Sequence, residues 1–291
     1  MIKQDTMNIA IAINDGFIMP ARVMLHSLFK RTKRPIHLFL LYNTLSVDNR
    51  RLLKETVEEY GNRFEEIYID ETWFRNASLN RNPLYSIEIY YRILLPYLTS
   101  TEKMLWLDAD LVVTSDIAEL YDKNISEYYL AACMDVGEEK HTRDKIKEQM
   151  GIVDQVYFNS GVLLMNNQKI REQISQNQFF EAIEKFNDDL ICPDQDILNY
   201  VLGGNSLILP IYYNYQHHTD SDSSLSKGMI IHYIWKKPWN ADYPGYLDEV
   251  FWNEAVECGF KKEYKQYKKE RKHIYYKNEL LPSIKKKLRI K

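Results

Sequence analysis

The amino-acid sequence predicts an α/β fold of the doubly wound, Rossmann-like type. Apolar runs at residues 7–13, 36–41 and 64–69 have the composition of buried strands. Helical patterns lie between them, the first opening at Pro20 and the second capped by Ser46. This order of strand, helix, strand, helix and strand is typical of the nucleotide-binding half of such a fold. The glycine-rich dinucleotide fingerprint does not occur in the sequence.

A second observation supports this fold class: residues 104–113 are apolar except at Asp108 and Asp110. Apolar residues on both sides of these positions are typical of a strand buried on both faces of a parallel sheet. Because buried unpaired carboxylates are costly, we expect the aspartates where the strand leaves the sheet, at the edge where open α/β sheets bind ligands. Carboxylate oxygens suit Mg²⁺ or Mn²⁺, so a metal–phosphate site is predicted. The alternative is a loop with two solvated aspartates.

The remaining elements continue as far as residue 233. In order, they are a polar loop at 71–83, a helix at 86–98, strands at 130–135 and 157–165, a helix near 176–187 and a last strand at 230–233. Residues 137–156 are charged and are predicted to form a loop or short helix over the site. Residues 216–228 are polar and rich in serine and aspartate, which is typical of a mobile connector.

Polar side chains at the starts or ends of these elements are candidate ligand contacts. Asp135, Asn159, Asp194 and Gln195 lie beside apolar runs and can hydrogen-bond sugar hydroxyls, although such residues also cap turns. Arg92 lies on a helix that otherwise carries tyrosine and leucine. It is a candidate charge partner for a phosphate or a carboxylate, and the alternative is an ordinary surface salt bridge.

The last predicted strand supplies a further candidate metal ligand. His232 follows apolar residues and is either a metal ligand or a histidine satisfied in the core. An imidazole beside two carboxylates favours Mn²⁺. Lys236 or Lys237 lies close enough in sequence to neutralise a diphosphate.

Length and composition limit the class of protein. The 291 residues suit one large domain or two small ones, and 45% hydrophobic residues allow a sizeable core. Cys133, Cys192 and Cys258 are odd in number and outside any metal spacing, which indicates reduced thiols and a cytoplasmic protein. We expect neither a secretory signal nor a segment of about 18 apolar residues that spans a membrane.

Charge is unevenly distributed along the chain. Residues 260–291 hold 13 Lys or Arg and three Glu, a net charge of +10, so that residues 1–259 carry a net charge of −13. We predict a folded domain at 1–259 and a basic, aromatic, helical C-terminal extension at 260–291. The extension is predicted to dock on an anionic membrane surface, where each basic residue contributes about 1 kcal/mol. The alternative is a solvated helix with a frayed tail, and no nucleic-acid partner is expected because the acidic body repels phosphate backbones.

Six short motifs occur in a fixed order between residues 7 and 240. They are Asn8-Ile9-Ala10-Ile11-Ala12, Tyr90-Tyr91-Arg92, Leu107-Asp108-Ala109-Asp110, Phe158-Asn159-Ser160-Gly161-Val162-Leu163, Asp194-Gln195-Asp196, and His232 followed by Lys237-Pro238-Trp239. Together they resemble the family 8 glycosyltransferases, the LgtC-like and glycogenin-like retaining enzymes of GT-A fold. The aspartate motif alone is a weak signal, whereas six motifs in this order are specific.

The resemblance implies a GT-A fold, which is a Rossmann-like mixed sheet flanked by helices, and a UDP-sugar donor. It implies that Asp108, Asp110 and His232 bind Mn²⁺ or Mg²⁺. The implied contacts to the UDP-sugar are Ala12, Ile13, Asn14, Phe17, Arg92, Ala109, Asn159 and Lys237. Among these, Phe17 would stack on uracil and Lys237 would meet the diphosphate. Asp135, Asn159, Asp194 and Gln195 would surround the donor sugar.

The reaction implied is transfer of glucose or galactose from a UDP-sugar to a hydroxyl of a surface glycan, glycolipid or glycoprotein, with retention at the anomeric carbon. Gln195 or Asp194 would lie nearest that carbon, and Asp135 is the third implied catalytic residue. Because glutamine is a poor nucleophile, attack on the same face, steered by the leaving phosphate, stands beside a covalent intermediate as an alternative. The enzyme is expected in the cytoplasm, peripheral to the inner membrane surface.

Two departures from the family pattern bear on the site. Asn14 stands where the family often has aspartate, which affects the uracil contact. Trp235 stands where the family usually has glycine, and the segment is one residue short, so Lys236 and Lys237 remain alternatives at the diphosphate.

Two other functions compete with this prediction. In a haloacid-dehalogenase-like phosphatase, Asp108 would be a nucleophile, but such a motif normally ends the first strand and here several strands precede it. A nucleotide-sugar-binding protein without turnover is the non-enzymatic alternative, and the intact set of candidate ligands disfavours it.

Overall fold

The computed structural model describes residues 6–79, 85–137, 139–187, 189–217, 229–243 and 247–275. Its strands are β1 (Met7–Ala12), β2 (Ile36–Tyr42), β3 (Arg63–Tyr68), β4 (Lys103–Leu107), β5 (Leu111–Val113), β6 (Leu130–Cys133), β7 (Val162–Asn166), β8 (Ser206–Leu209), β9 (Tyr215–His217) and β10 (Ile230–Tyr233). Its helices are α1 (Ile18–Arg31), α2 (Val47–Glu59), α3 (Tyr91–Leu98), α4 (Ala118–Tyr121), α5 (Lys140–Met150), α6 (Asn167–Gln173), α7 (Gln176–Phe186), α8 (Pro193–Leu202), α9 (Asp248–Glu257) and α10 (Lys261–Tyr275).

The larger sheet is mixed and has the strand order β3-β2-β1-β4-β7-β6-β8. β7 runs antiparallel to β4 and β6, and the other neighbouring strands are parallel. The carboxyl ends of β1, β4 and β6 therefore meet the amino end of β7 at one edge of the sheet. Open α/β sheets bind their ligands at such an edge. The predicted class, a Rossmann-like mixed sheet flanked by helices, is confirmed.

The predicted strand around the two aspartates is divided between two sheets. β4 ends at Leu107, and β5 begins at Leu111 in a three-stranded sheet of order β5-β10-β9. β10 is antiparallel to β5, with His232 opposite Leu111. Asp108 and Asp110 therefore occupy the corner between the sheets, and the pairing of β5 with β10 brings His232 to the same corner.

Alternate side chains of the central strands enter two cores, one on each face of the larger sheet. In β4, Leu105 and Leu107 belong to one core, and Met104 and Trp106 belong to the other. All four are at most 1% exposed. Burial of a side chain of this size stabilises the fold by about 1.5–3 kcal/mol, so the strand that leads into Asp108 is held firmly.

Some predicted boundaries change. The helix predicted at 86–98 begins as a 3₁₀ turn at Ile87–Tyr90 and becomes α-helical at Tyr91. The charged segment at 137–156 contains α5, so its helical alternative is the one observed. The connector predicted at 216–228 is wrong at its start, because β9 covers Tyr215–His217 and pairs with β10. Residues 218–228, like 80–84 of the predicted polar loop, lie outside the described residues.

The C-terminal extension begins with α10, which packs on α9. Tyr267 is 4% exposed, and its hydroxyl donates to Asp248 Oδ2 at 2.6 Å. The Trp252 ring lies 5.3 Å from the ring of Tyr264 and 4.7 Å from that of Tyr267. The helical start of the extension is thus part of the folded body, whereas residues 276–291 lie outside the described residues. The predicted division at residue 260 stays a prediction.

None of the three cysteines, all within the described residues, forms a disulfide. Cys133 is buried, and burial raises the pKa of its thiol to about 12, which keeps it unreactive. Among the described helices, none is both long and apolar enough to cross a membrane.

Candidate active site

A cleft opens at the edge of the larger sheet where β1, β4 and β6 end. Its volume is about 1120 Å³, including the part open to solvent. All the site residues predicted from the sequence line this cleft: Ala12, Ile13, Asn14, Phe17, Arg92, Asp108, Ala109, Asp110, Asp135, Asn159, Asp194, Gln195, His232 and Lys237. The fold thus brings residues from distant parts of the chain to a single cleft.

Asp108 is oriented by contacts on one side of its carboxylate. Its Oδ1 accepts hydrogen bonds from Arg92 Nη2 and Trp106 Nε1, both at 2.8 Å. Its backbone N–H donates to the Gly161 carbonyl at 2.9 Å, which ties the end of β4 to the start of β7. With Oδ1 held in this way, Oδ2 points towards the histidine on β10.

Asp110 carries a buried oxygen that lacks a hydrogen bond. Its Oδ2 accepts from Lys237 Nζ at 2.6 Å, whereas Oδ1 is buried without a hydrogen-bond partner and lies 3.5 Å from His232 Nε2. Burial by itself raises the pKa of Asp110, but Lys237 and His232 outweigh burial and hold this pKa well below its usual range. Asp110 is therefore an anion whose buried Oδ1 lies beside the imidazole of His232 without a hydrogen bond.

His232 is oriented by Asn214, a residue that the sequence analysis missed. Asn214 is fully buried, and its Oδ1 lies 3.1 Å from His232 Nδ1. Its Nδ2 donates to Asn159 Oδ1 at 2.8 Å, so Oδ1 is the atom left to accept from the imidazole. A proton on Nδ1 leaves Nε2 as the acceptor or ligand atom, which is the usual arrangement behind metal-binding histidines. The available signal was a polar residue between apolar neighbours just before β9.

Asp108, Asp110 and His232 fit a divalent metal ion. Each offers a ligand atom, and these atoms lie within 4.8 Å of one another. The unpartnered Oδ1 of Asp110 is one such atom. Two carboxylates and an imidazole are a donor set that suits Mn²⁺ or Mg²⁺, with Mn²⁺ favoured by the nitrogen ligand. The alternative of two solvated aspartates is therefore disfavoured.

A second group of possible ligands lies where α1 meets α9, and it fits a metal less well. His26, Glu254 and Glu257 meet the same distance criterion. However, Lys30 Nζ lies 2.5 Å from Glu257 Oε2 and Arg31 Nη2 lies 2.5 Å from Glu254 Oε1. Because the two basic side chains already neutralise the two carboxylates, a dication would meet no net negative charge here.

Gly161 is required by the close approach of the candidate metal-ligand side chains. A Cβ at this position would lie 2.3 Å from His232 Cε1 and 3.0 Å from Asp108 Oδ2. We expect Gly161→Ala to displace these side chains and to weaken Mn²⁺ binding at least tenfold, as loss of ligand orientation does in other sites. Calorimetric titration with Mn²⁺ measures this.

Gly204→Ala is the matched control, because a Cβ there would first meet Gln155 Nε2 at an ordinary 3.5 Å. Equal Mn²⁺ affinities for the two alanine variants would contradict the assigned role of Gly161.

Arg92 is buried beneath the cleft and is not a surface salt bridge. It is 4% exposed, and its guanidinium stacks 4.7 Å from the Trp106 ring. Besides Asp108, it pairs with Asp194 Oδ2 through Nε at 3.2 Å and donates from Nη1 to the Ser160 carbonyl at 2.5 Å. Arg92 was predicted to pair with a phosphate or a carboxylate. In this structure it pairs with two carboxylates, those of Asp108 and Asp194.

The predicted sugar-binding residues form one hydrogen-bond network. Asp135 Oδ2 accepts from Asn159 Nδ2 and from Gln195 Nε2, both at 3.2 Å. Gln195 Oε1 accepts from Asn159 Nδ2 at 3.1 Å and from the Ser160 backbone N–H at 3.0 Å. Asp194 Oδ2 accepts from the Ser160 hydroxyl at 3.0 Å. Because each partner fixes the next, this part of the cleft is preorganised for a polyhydroxylated ligand.

The start of α8 contains two buried carboxyl groups with different surroundings. Burial raises the pKa of Asp194, although Arg92 opposes this. Burial also raises the pKa of Asp196 to about 7. Asp196 accepts from the Tyr157 hydroxyl and, at 2.7 Å, from the Ile191 backbone N–H, so it serves to anchor the helix that carries Asp194.

The side chains predicted at the nucleotide base lie where β1 ends. Asn14 Oδ1 accepts from the Gly16 backbone N–H at 3.0 Å, and Nδ2 lies 3.2 Å from Ser86 Oγ and 3.4 Å from Glu88 Oε2. Asn14 therefore shapes the turn that presents Phe17. The Phe17 ring lies 6.0 Å from the Trp239 ring, edge to face.

The turn after β10 separates the two candidate lysines. Lys237 lines the cleft at Asp110, whereas Lys236 pairs with Asp242 at 2.5 Å and is not among the residues that line the cleft. Trp235, which precedes them, has φ of 61°. A side chain in this left-handed region costs about 1–2 kcal/mol, since Cβ crowds the following carbonyl oxygen.

The sequence that forms this mixed α/β sheet, with paired aspartates and a histidine at its edge, matches a known family of enzymes. The model of Glycosyl transferase family 8 matches residues 8–243. The chain belongs to this family, as the sequence motifs predicted, and is a glycosyltransferase.

Curated relatives agree with this assignment. A putative glycosyltransferase of Haemophilus influenzae is 26% identical over 226 residues, which cover 77% of this chain and 68% of the relative. The lipopolysaccharide 1,2-glucosyltransferase of Escherichia coli is 25% identical over 309 residues, with 97% of this chain and 89% of the relative covered.

Solved structures share the fold. The galactosyltransferase LgtC, crystallised with donor and acceptor sugar analogs, aligns with a TM-score of 0.75 at 24% identity over 86% of this chain and 96% of that chain. The glycosyltransferase GlyE of Streptococcus pneumoniae aligns with a TM-score of 0.69 at 23% identity, over 94% of this chain and 64% of that chain. The predicted GT-A-type fold is confirmed by these matches.

Proposed function

We propose that this glycosyltransferase moves glucose or galactose from a UDP-sugar to a hydroxyl acceptor, with Mn²⁺ or Mg²⁺ and with retention at the anomeric carbon. The observation that carries the proposal is the convergence of Asp108, Asp110 and His232 around an unpartnered buried oxygen. The lining of the cleft adds support: among the described residues it holds five carboxylates (Glu88, Asp108, Asp110, Asp135 and Asp194) and two basic side chains, Arg92 and Lys237, while Arg143 reaches Asp135 at 3.7 Å. A dication would balance this excess and would attract a diphosphate.

The proposed donor site extends along the cleft from β1 to α8. Phe17 stacks on uracil, and Ala12, Ile13 and Asn14 shape the pocket for the base. Lys237 leaves Asp110 to contact the diphosphate when donor and metal are bound. Bound by Asp108, Asp110 and His232, the metal would act as a Lewis acid that neutralises the departing UDP. Ala109 contributes backbone between the two aspartates, and Arg92 holds Asp108 and Asp194 in place.

The proposed sugar site is the network that joins Asp135, Asn159, Asp194 and Gln195. All four are at most 6% exposed, so the sugar hydroxyls that reach them exchange water for fixed partners. Loss of a hydrogen bond to a charged group of this kind costs roughly 1.5–3 kcal/mol. The site therefore selects the hydroxyl pattern of the transferred hexose.

Retention is proposed to proceed by attack on the same face rather than through a covalent intermediate. Gln195 is a poor nucleophile, and its amide is held on both sides by Asn159 and Asp135. Asp194 is an anion in principle, but its Oδ2 already accepts from Ser160 and pairs with Arg92. With both candidates engaged, we propose that the leaving phosphate takes the proton of the incoming hydroxyl.

The competing functions receive less support. In a phosphatase, Asp108 would attack phosphorus, yet Oδ1 is occupied by Arg92 and Trp106. A nucleotide-sugar-binding protein without turnover would use the same contacts, and the match to a family of glycosyltransferases disfavours it.

A panel of UDP-, GDP- and ADP-hexoses incubated with the full chain and Mn²⁺ tests the proposal. We expect release of UDP from UDP-glucose or UDP-galactose and transfer of the same sugar to simple glycosides. Hydrolysis of phosphomonoesters instead would favour the phosphatase, and UDP-sugar binding without release would favour the binding protein.

We also propose that the acceptor is a surface glycan or glycolipid and that the enzyme works in the cytoplasm at an anionic membrane surface. The lipopolysaccharide glucosyltransferase among its relatives supports the acceptor class. On α10, the side opposite Tyr264 and Tyr267 carries exposed Lys262, Lys265 and Lys269. Basic residues on such a face attract anionic lipid headgroups.

Reversal of these charges tests the membrane proposal and leaves the packing of α10 on Trp252 intact. Replacement of Lys262, Lys265 and Lys269 by glutamate removes about 1 kcal/mol of attraction for each lysine, so partition onto anionic vesicles should fall about 100-fold. Co-sedimentation with vesicles of rising anionic lipid content measures this.

The matched control replaces exposed Lys33, Lys54 and Lys140 by glutamate, which changes net charge equally. An equal loss in both triple variants, or no vesicle binding by the wild type, would contradict docking through α10.

A further inference from the structure

Trp235 has a left-handed backbone conformation that is unusual for a residue with a large side chain. Among the described residues, it is the only non-glycine residue with positive φ, at 61°. Glycine would adopt this conformation without strain, whereas a bulky side chain is disfavoured there. Strain of this kind is kept at sites where the strained group has a function. The indole is therefore the part of Trp235 that needs a role.

The indole is fixed at the rim of the cleft. Trp235 lines the cleft, its side chain remains partly open at 44% exposure, and its Nε1 donates to the Gly137 carbonyl at 3.3 Å. Gly137 also packs closely on the residue before Trp235, since a Cβ there would lie 2.5 Å from Ile234 Cδ1. Gly137 is two residues beyond Asp135. The ring is thus held beside the proposed sugar site rather than beside the base.

The transferred hexose and the acceptor sugar would lie at different depths in the cleft. Asp135 and Gln195 are 3% and 4% exposed and form the floor, where the transferred hexose would lie. An acceptor has to approach that hexose from solvent, and Trp235 stands at this opening. An exposed aromatic face with its N–H already engaged suits an apolar partner surface, and the C–H face of a pyranose is such a surface.

We propose that Trp235 is the platform on which the terminal pyranose of the acceptor stacks. This inference rests on the proposed hexosyl transfer and names its acceptor class: a glycan or glycoside that presents a pyranose ring, rather than a ringless alcohol or a protein hydroxyl. The strained backbone then serves to turn the indole face towards the incoming ring.

The test compares the full-length variants Trp235→Gly and Trp235→Phe with the wild type in Mn²⁺ and UDP-hexose, using methyl pyranosides and ringless glycerol as acceptors. For Trp235→Gly we expect the KM for pyranosides to rise about tenfold or more, with the KM for UDP-hexose changed less than twofold. Trp235→Phe should recover part of the pyranoside affinity. The Tm of Trp235→Gly should not fall, because glycine relieves the backbone strain.

Trp73→Ala is the matched control, since Trp73 is 42% exposed but packs near Phe180 and does not line the cleft. Saturation-transfer NMR of pyranoside binding in the presence of UDP and Mn²⁺ measures the subsite independently of turnover. A wild type that turns over no nucleotide sugar would overturn the proposed function, while loss of the pyranoside signal only in the Trp235 variants would still support the platform. Unchanged pyranoside KM and signal in Trp235→Gly, or a parallel rise in the KM for UDP-hexose, would overturn the platform.

Discussion

The Asp110→Asn variant is expected to lose Mn²⁺-dependent hexose transfer by about 10³-fold while it keeps its fold. The substitution retains shape but removes the charge of the residue whose buried Oδ1 has no hydrogen-bond partner among the described residues and lies 3.5 Å from His232 Nε2. Loss of a metal contact forfeits several kcal/mol of stabilisation of the leaving group, and each 1.4 kcal/mol is a factor of ten. Lys237 keeps its hydrogen bond to the Tyr233 carbonyl at 2.8 Å, so the turn after β10 should survive.

The measurements for this variant are Mn²⁺ binding by electron paramagnetic resonance and initial rates of transfer. Asp242→Asn is the matched control, because Asp242 pairs with the neighbouring Lys236 outside the cleft. Wild-type Mn²⁺ affinity and turnover in Asp110→Asn would contradict the assignment of the metal site.

Arg92→Ala is expected to lower the free energy of unfolding by about 3–5 kcal/mol. The guanidinium is 4% exposed and is shared by Asp108 and Asp194, so its removal leaves carboxylates at the edge of the sheet without their cation. Arg92→Lys should recover only part of the loss, because an ammonium cannot reproduce the planar contacts to two carboxylates, the Ser160 carbonyl and the Trp106 ring.

Urea denaturation of both Arg92 variants measures the effect. Arg50→Ala is a useful comparison, since Arg50 pairs with Glu66 at 2.6 Å and stacks on Tyr42 in a partly exposed setting. Such a pair is worth at most about 1 kcal/mol. Equal destabilisation by the Arg92 and Arg50 alanine variants would show that Arg92 is not a buried charge anchor.

The sheet and the position of Asp108 and Asp110 at its edge could be predicted because local pattern indicates them. Apolar residues on both sides of Asp108 and Asp110 can be buried only if the carboxylates lie at a sheet edge. The alternation of strands and helices in the first 70 residues indicates parallel strands, so the edge in question is the one where their carboxyl ends lie. For His232 the local pattern left a metal ligand and a core histidine as alternatives, and the family resemblance chose between them, since the approach of His232 to Asp110 depends on the antiparallel pairing of β10 with β5.

Other features depend on tertiary contacts that no local pattern contains. Asn214 gains its role only from His232 and Asn159, which lie in different elements. The burial of Arg92 follows from packing over Trp106, which a helical pattern with a single arginine does not indicate. The choice between Lys236 and Lys237 depends on the turn geometry at Trp235, where adjacent side chains point to opposite sides.

Metal-dependent transfer is tested most directly by turnover of UDP-glucose and UDP-galactose by the wild-type chain after metal is removed with a chelator and Mn²⁺ is then titrated back. We expect turnover of one or both donors to disappear without metal and to return to a saturating rate as Mn²⁺ fills the site formed by Asp108, Asp110 and His232. Turnover that continues unchanged in excess chelator would contradict this expectation.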